Sequence, residues 1–349
     1  MRDIPDLTNL RIAWKGQYLS KNEHLWIKKF TNDEIKELED ATSNFLTKNN
    51  DLVDINPNTF LLPKLSNVLI ELRNELQNGI GFKLLRGIPV DKYSIKELAT
   101  IYLGIGSYVG SPRSQNSKGH LLGHVRDLGY NLKDKNVRVY QTRERQHFHT
   151  DSCDAVSLLC IREAKSGGIS MLSSTITIFN IFRERYPDLL KYLFDPISRD
   201  RRGEIPLGKK PFYNIPVLNW LEGNLTGFYH RPYIDSAQTY DEAIKLSSNH
   251  IKALDNFDKI ANDPNIHLKM QFLPGDIQFV YNHSILHDRT SYVDWDDEKK
   301  KRHLLRLWLS IPNDRSLPES FAERYGSIEI GNRGGIITKN TSTHVPLTP

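Results

Sequence analysis

The sequence has little cysteine and no long apolar run. Its 349 residues include only two cysteines, Cys153 and Cys160, which are too few for a disulfide framework and fit the reduced thiols of a cytosol. The start, Met1 to Asp6, carries charges where a secretory signal needs an apolar core. No stretch resembles the roughly 20 apolar residues of a membrane-spanning helix. These absences predict a soluble, cytoplasmic protein without a membrane partner.

Neither sign of charge dominates the chain. Lysine and arginine number 47 against 42 aspartates and glutamates, which gives a net charge of +5. The basic residues form no dense stripe, so nucleic acid is not expected as a partner. A small anionic substrate suits this mild positive charge. The apolar content of 38% and the aromatic content of 10% are typical of a folded globular protein.

Local patterns predict a strand-rich domain with helices packed on it. Capping boxes at Thr31–Glu34 and Ser94–Glu97 predict two helix starts. Helices are expected near residues 31–48, 63–78, 94–103, 176–194 and 241–255. Strands are expected near residues 80–87, 137–141, 155–162, 169–173, 212–220, 225–233, 268–272, 275–281 and 304–311. We infer a single domain over residues 1–330, with residues 1–80 as a helical N-terminal elaboration and residues 331–349 as a poorly structured tail.

A histidine and a carboxylate stand two residues apart in the segment from Gln146 to Asp151. On an extended backbone His149 and Asp151 point to the same face, and His147 has the same parity. One further histidine would complete a set of two imidazoles and one carboxylate. That set is the facial triad of non-haem Fe(II) oxygenases, which leaves coordination positions open.

The best source of the missing ligand is the segment from Pro274 to Arg289. It contains His283 and His287, which have the same parity along an extended chain. Spacing alone therefore does not choose between these two histidines, nor between His147 and His149. The residues by themselves give four candidate histidines and one aspartate.

Several short motifs resemble those of one enzyme family. The chain contains GFKLLRGIPVD, FHTD, SGGIS, a PGD…N…LHDR segment and a closing RHLLRLWL strand, in this order from about residue 81 to 311. The chain resembles the taurine dioxygenase family of Fe(II)- and 2-oxoglutarate-dependent oxygenases. This resemblance implies a mixed, mainly β fold, in which a double-stranded β-helix (jelly-roll, cupin-like) core carries flanking helices.

The resemblance also selects among the histidines. Matched motif by motif, it makes His149, Asp151 and His287 the iron ligands. His147 and His283 then become neighbours of the metal site, where hydrogen bonds orient the ligands.

Two arginines on the last strand are candidates for the co-substrate. Arg302 and Arg306 are four residues apart and share a face. A guanidinium matches the distal carboxylate of 2-oxoglutarate with two parallel hydrogen bonds. The resemblance assigns this role to Arg302, with the hydroxyl of Ser170 in support, and places Arg306 near the substrate or the co-substrate. Which arginine holds 2-oxoglutarate remains open.

Further residues are candidates for the substrate side. Arg113, Asn116, Tyr229 and Arg231, together with Arg306, lie in segments that the family uses to wall its pocket. Two inward-facing arginines would suit a small carboxylate or another anion. The loop over residues 111–135 is a candidate lid that excludes water.

The resemblance implies an enzyme that uses Fe(II), 2-oxoglutarate and O2. It oxidises a small, carboxylate-bearing molecule by hydroxylation, or by desaturation or cyclisation, and releases succinate and CO2. The alternatives are a cupin-like metalloenzyme that does not use 2-oxoglutarate, and a non-catalytic binding protein derived from an oxygenase. The sequence leaves open the substrate, the type of oxidation and the oligomeric state, for which a homodimer is one alternative.

Overall fold

The computed structural model describes residues 4–131, 137–339 and 341–349. Its α-helices are α1 Gly16–Leu19, α2 Asn32–Thr47, α3 Leu65–Asn78, α4 Ile95–Val109, α5 Thr175–Arg185, α6 Pro187–Leu190, α7 Arg231–Ala237, α8 Ser248–Ala261 and α9 Ala322–Tyr325. Its strands are β1 Ile27–Lys29, β2 Phe82–Arg86, β3 Ser111–Pro112, β4 Gly123–Val125, β5 Gln146–His149, β6 Ala155–Arg162, β7 Ser166–Gly167, β8 Ser170–Ser174, β9 Ile197–Asp200, β10 Phe212–Ile215, β11 Leu218–Leu221, β12 Asn224–Gly227, β13 Leu268–Met270, β14 Ile277–Tyr281, β15 Ile285–Arg289, β16 Tyr292–Val293 and β17 His303–Ser310.

Two sheets form the centre of the molecule. The larger has the strand order β1-β2-β14-β6-β17-β3, with β4 also paired to β17, and the smaller has the order β13-β8-β15-β5. Neighbouring strands in both sheets are antiparallel, apart from the parallel pair β1 and β2. The expectation of a mixed, mainly β architecture with flanking helices is confirmed.

Apolar side chains from both sheets meet in one core. Phe82 and Val156 come from the larger sheet, whereas Leu172 and Met270 come from the smaller one, and all four are buried in the same cluster. Strand β6 is buried on both faces because a helical layer covers its other side. This double burial explains why its sequence is a nearly continuous apolar run.

Helices α2, α3 and α4 cover the outer face of the larger sheet. Both predicted capping boxes are present: the side chains of Thr31 and Ser94 accept hydrogen bonds from the backbone N–H of Glu34 and Glu97. The leucines of α3 pack in one cluster with those of β17. Helices α5 and α8 pack on the smaller sheet in a second cluster. The helices thus pack against the outer faces of the two sheets.

The hairpin predicted near residue 223 is present but shorter than expected. Strands β11 and β12 are joined through Glu222 and Gly223, which have φ angles of 48° and 77°. Positive φ at both turn positions is typical of a type I′ turn. The second strand ends at Gly227, and helix α7 begins at Arg231 because Pro232 favours a first helical turn.

Other predicted elements differ from the structure. The predicted helix over 241–255 lies later, as α8, because the side chain of Ser247 caps a helix that begins at Ser248. The predicted strand over 137–141 is a short 3₁₀ helix, Val139–Gln141. No strand was predicted for Ile285–Arg289, although it forms β15 at the centre of the smaller sheet.

Several described residues of the predicted tail form specific contacts with the rest of the chain. The N–H of Gly335 donates to the carbonyl of Ser152 at 2.7 Å, and the N–H of Ile336 donates to Ser114 at 2.8 Å. Val345 packs against the helical core. Contacts of this kind leave no periodic pattern in a sequence. Within the described part of the chain, none of the helices has the length and apolar content needed to cross a membrane.

Candidate metal centre and adjoining cavities

Two neighbouring strands bring the predicted metal ligands together. His149 is the last residue of β5, and His287 lies directly opposite it on β15. Asp151 follows β5 by two residues, and its backbone N–H donates to the side-chain oxygen of Asn282 at 3.0 Å. The strand pairing therefore fixes the two histidines, and Asn282 fixes the loop that carries the carboxylate.

The donor atoms of the three residues converge. The Nε2 atoms of His149 and His287 each lie 3.7 Å from a carboxylate oxygen of Asp151, one from Oδ1 and the other from Oδ2. Single ligand atoms from the three residues lie within 4.8 Å of one another. Metal–ligand bonds of about 2 Å require separations of this size between the donors. Two imidazoles and one carboxylate are also the donor set that suits Fe(II).

Hydrogen bonds set the orientation of His149. Its Nδ1 donates to the backbone carbonyl of His147 at 2.8 Å, so that Nε2 carries the free lone pair. The side-chain amide of Gln146 lies 2.9 Å from this Nε2 and donates to it. A metal ion at this nitrogen would replace the Gln146 contact. The side chain of His147 itself is exposed.

The protonation states also suit a metal site. Burial lowers the pKa of His287 to about 3 and lowers the pKa of His149 as well. Burial acts to raise the pKa of Asp151, but the charge of Arg306, with the hydrogen bond from Trp308, outweighs it and holds that pKa below its usual value. Neutral imidazoles and an ionised carboxylate are the forms that bind a metal.

His283 belongs to a different buried cluster. Its Nε2 lies 2.8 Å from Asp154, and the guanidinium of Arg333 bonds to Asp154 at 2.7 Å and to Asp314 at 2.9 Å. Asp154, His283 and Asp314 could in principle hold a metal ion. Arg333 already supplies a positive charge there and bonds both carboxylates. We therefore interpret this cluster as structural.

An inner cavity adjoins the metal centre on one side. It is lined by Val125, Tyr140, Gln146, His149, Asp151, Val156, Leu158, Ser170, Phe272, Gln278, His287, Asp288, Arg289, Arg302, Leu304 and Arg306. Arg302 is only 4% exposed, and its Nη1 has no hydrogen-bond partner in the described structure. The hydroxyl of Ser170 accepts from the amide of Gln278 at 3.3 Å. A buried cation with a free donor makes this cavity suited to a carboxylate.

An outer cavity adjoins the metal centre on the other side. It is lined by Gln115, Arg138, Val139, Tyr140, Gln146, Thr150, Asp151, Ser152, Glu204, Tyr213, Phe228, His230, Tyr233, Arg306, Trp308, Arg324 and Ile336. Tyr140, Gln146, Asp151 and Arg306 line both cavities. The metal centre thus lies where the two cavities meet.

Arg306 stands at this junction. Its guanidinium lies 4.6 Å from the ring centroid of Tyr140 and 5.1 Å from that of Trp308, and its Nε donates to Gln115 at 2.7 Å. Its Nη1 is 3.8 Å from Oδ2 of Asp151. Arg302 and Arg306 do share the inward face of the last strand, but only Arg306 reaches the outer cavity.

Two of the predicted substrate residues have other partners. Arg231 forms ion pairs with Asp235, Asp255 and Asp258, and the hydroxyl of Tyr229 donates to Asp258 at 2.7 Å. Neither residue is among those that line the two cavities. Tyr229 is buried within the cluster under α8.

The other two predicted substrate residues lie farther out. Arg113 donates to the carbonyl of Gly334 at 3.1 Å and to the side chain of Asn332 at 2.9 Å. Asn116 lines a wide cleft that also contacts Arg138 and Arg306. This cleft is the approach to the outer cavity, rather than the cavity itself.

The predicted lid over 111–135 is largely tied to the larger sheet. Strands β3 and β4 fall within it, and both pair with β17. Residues 132–135 of this prediction lie outside the described residues. The described part of the segment supplies Gln115 to the outer cavity, so it forms part of the wall.

Sequence reasoning did not select several residues of the site. The indole Nε1 of Trp308 donates to Oδ2 of Asp151 at 2.8 Å, and Arg138 and Arg324 line the outer cavity. Trp308 has the same parity on β17 as Arg302 and Arg306, so strand alternation could have identified it. Nothing in the local sequence around Arg324 indicates its position.

The chain matches known proteins over most of its length. A sequence model of the taurine catabolism dioxygenase TauD, TfdA family matches residues 46–308. FR-33289 synthase of Streptomyces rubellomurinus (strain ATCC 31215) is 31% identical over 283 residues, which cover 78% of this chain and 82% of that protein. Taurine hydroxylase-like protein SAT17 of Stachybotrys chartarum (strain CBS 109288 / IBT 7711) is 30% identical over 309 residues, which cover 86% of this chain and 78% of that protein.

Solved structures show the same fold at low sequence identity. Asparagine oxygenase in complex with Fe(II), 2S,3S-3-hydroxyasparagine and succinate has a TM-score of 0.64 at 16% identity, over 81% of this chain and 93% of that one. The non-haem iron oxygenase OrfP in complex with Fe and alpha-ketoglutaric acid has a TM-score of 0.62 at 14% identity, with the same coverage of 81% and 93%. The double-stranded β-helix expected from the motifs is therefore confirmed at the level of the fold.

Proposed function

Because the chain belongs to the taurine catabolism dioxygenase TauD, TfdA family, we propose that His149, Asp151 and His287 hold its metal ion. The chain is a non-haem iron, 2-oxoglutarate-dependent oxygenase. The observation that carries the assignment of ligands is the convergence of two imidazole nitrogens and one carboxylate on a single buried point. Iron held there would activate O2, which is the oxidant, and 2-oxoglutarate would supply two electrons as it is converted to succinate and CO2.

The chain's own residues keep the three ligands in place. The carbonyl of His147 fixes the ring of His149, and Asn282 and Trp308 fix Asp151 through its backbone and its side chain. Ligands held in this way do not have to be ordered when the metal binds, so that less entropy is lost on binding.

We assign the inner cavity to 2-oxoglutarate and Arg302 to its distal carboxylate. The guanidinium of Arg302 is buried and has a donor without a partner, which a carboxylate would satisfy. Ser170 presents its hydroxyl to the same cavity, and Leu158 and Leu304 offer apolar contacts to the methylene carbons. The Nε of Arg306 is already bonded to Gln115, which makes Arg306 the weaker candidate.

We assign the outer cavity to the substrate, which we propose is a small molecule with a carboxylate or another oxyanion. Three arginines line this cavity, and among them Arg138 is paired with Glu204. Arg306 lies 3.8 Å from the Asp151 carboxylate, which the metal ion would also bind, and Arg324 has no carboxylate within ion-pair distance among the described residues. Uridine-5'-phosphate dioxygenase of Amycolatopsis sp, 30% identical over 157 residues, which cover 44% of this chain and 55% of that protein, is named for a substrate with an anionic group. Arg306, at the junction, would orient the anion relative to the metal.

Succinate release tests this assignment. The purified protein is given Fe(II), 2-oxoglutarate and O2, with a set of small anions that includes uridine 5'-phosphate, L-asparagine and L-arginine and with neutral counterparts such as uridine. We expect an anionic compound to raise succinate release above the rate without substrate, with an oxidised product in equal amount. A preference for neutral, apolar compounds would refute the proposed substrate class.

A further inference from the structure

The outer cavity is completed by a segment that the family model does not cover. The match to the family ends at residue 308, whereas Arg324 and Ile336 both line this cavity. Part of the wall of this cavity therefore lies outside the segment that the family model matches. Residues of that wall are candidates for selecting the substrate.

Arg324 is the cation of this wall. It belongs to α9 and is half-buried, and its Nε donates to the hydroxyl of Ser152 at 2.8 Å. Its guanidinium lies 5.5 Å from the ring centroid of Tyr213. In the described part of the chain, its two Nη groups have no hydrogen-bond partner and no carboxylate lies within ion-pair distance of it. The planar end of this side chain is therefore free to bind a ligand.

Arg138 lines the same cavity, but its guanidinium already has partners. It bonds to Glu204 and donates to the hydroxyl of Tyr233 at 2.7 Å, so its charge is balanced and both of its Nη groups have partners. A second guanidinium, that of Arg201, lies 5.1 Å from the centroid of the same Tyr213 ring. It adds a further positive charge near Arg324. Arg201 and Arg324 thus place two guanidinium groups beside the Tyr213 ring.

The position of Arg324 relative to the metal centre is fixed. Ser152, its hydrogen-bond partner, directly follows the metal-ligand candidate Asp151. The carbonyl of Ser152 accepts from the N–H of Gly335 at 2.7 Å, and the Tyr325 hydroxyl lies 3.4 Å from the carbonyl of Cys153. A group bound to Arg324 would therefore be held at a set distance from the metal.

We propose that Arg324 and Ser152 form a subsite for an oxyanion of the substrate, and that this subsite selects the substrate. The proposal rests on the assignment of the outer cavity to the substrate. A guanidinium with two free donors matches a carboxylate, phosphate or phosphonate group, and the Ser152 hydroxyl can reorient to add a third hydrogen bond. Arg306, beside Asp151, would contact one group of the substrate, and Arg324, on Ser152, would bind a second one.

Calorimetric titration with simple oxyanions tests the subsite. Protein saturated with Mn(II) and 2-oxoglutarate is titrated at constant ionic strength with methylphosphonate and, separately, with acetate. We expect the wild type to bind at least one of the two with a millimolar Kd. We expect R324Q to weaken this binding at least tenfold and R324K to weaken it less, because lysine keeps the charge but loses the planar pair of donors. The preferred anion identifies the oxyanion class.

The exposed Arg185 on α5 provides the matched control, so R185Q should bind as the wild type does. Unchanged binding by R324Q would overturn the proposal, and so would a wild type that binds neither anion. If R324Q fails to fold, as its thermal melting curve will show, R324K decides the question.

Succinate release is measured separately. Lost anion binding in R324Q, together with a wild type whose succinate release no anion stimulates, would uphold the subsite and refute the proposed function.

Discussion

The indole Nε1 of Trp308 donates a 2.8 Å hydrogen bond to Oδ2 of Asp151, in an environment where both side chains are buried. This bond connects the last strand of the larger sheet to the loop that carries the carboxylate ligand. It limits the rotation of the Asp151 carboxylate and supports its ionised form. Outer contacts of this kind commonly tune metal affinity.

The first prediction concerns this bond. W308F keeps an aromatic ring but removes the donor, so we expect Mn(II) to bind about tenfold more weakly. Titration followed by electron paramagnetic resonance measures the free ion. W295F, at the partly exposed Trp295, serves as the control and should bind like the wild type. Equal affinities for wild type and W308F would show that the bond does not support the metal site.

The second prediction separates the two histidines of the Pro274–Arg289 segment. H287A should abolish the visible charge-transfer absorption that Fe(II) and 2-oxoglutarate give under anaerobic conditions. H283A should keep that absorption but lose about 2 kcal/mol of unfolding free energy, because buried Asp154 loses a hydrogen-bond partner. Urea unfolding of the metal-free variants measures the second effect. The opposite pattern would make His283 the ligand.

The third prediction concerns Arg302. R302Q should raise the Kd for 2-oxoglutarate about 100-fold, which corresponds to about 2.7 kcal/mol. The stability of the protein without 2-oxoglutarate should not fall, because burial lowers the pKa of Arg302 and its Nη1 has no partner to lose. Calorimetry and urea unfolding measure the two quantities. An unchanged Kd in R302Q, with a large increase in R306Q, would assign the co-substrate to Arg306.

The fourth prediction concerns acid stability. Arg162 donates to Nδ1 of His303 at 3.3 Å, His303 Nε2 lies 2.9 Å from His124 Nδ1, and His124 Nε2 lies 3.0 Å from the Pro346 carbonyl. Since arginine only donates and a carbonyl only accepts, both rings are neutral, with protons on their Nε2 atoms. Burial, together with the positive charge of Arg162, lowers the pKa of His303 to about 3.

The unfolded chain binds a proton at this histidine near pH 6.5, and the folded chain does so only near pH 3. The unfolded state therefore binds more protons between these values, so stability falls as the pH falls from 6.5 toward 3. At pH 5 the loss from His303 should be about 2 kcal/mol relative to pH 8. In H303N, the unfolding free energy measured with urea should fall by about 2 kcal/mol less between pH 8 and pH 5 than it does in the wild type. An identical loss in wild type and variant would contradict the assignment.

The sequence and its motifs predicted the centre of the site better than its walls. His149 ends strand β5 and Asp151 follows it by two residues, so an extended backbone predicted a shared face, and Asn282 holds the loop that carries the carboxylate. The parity of Arg302, just before β17, and Arg306, within it, also predicted that both face the same cavity. Such relations depend only on local backbone geometry.

The walls depend on contacts between distant segments, and local patterns do not encode these. Arg231 was expected beside the substrate, but Pro232 starts a helix there and three aspartates hold the arginine at the surface. Arg324 reaches the cavity only because the chain after β17 folds back onto Ser152. Neither the spacing of apolar residues nor a helix-capping motif indicates that the chain folds back in this way.

The cluster of Asp154, His283 and Arg333 has a consequence for the life of the enzyme in a cell. Asp154 is three residues from Asp151, and His283 is four residues from His287, so both ligand-bearing segments are anchored by bonds that involve no metal. The fold around the metal site should therefore persist when iron is lost. We expect the chain to persist as an intact apoprotein during iron shortage and to regain activity when iron returns, without new synthesis.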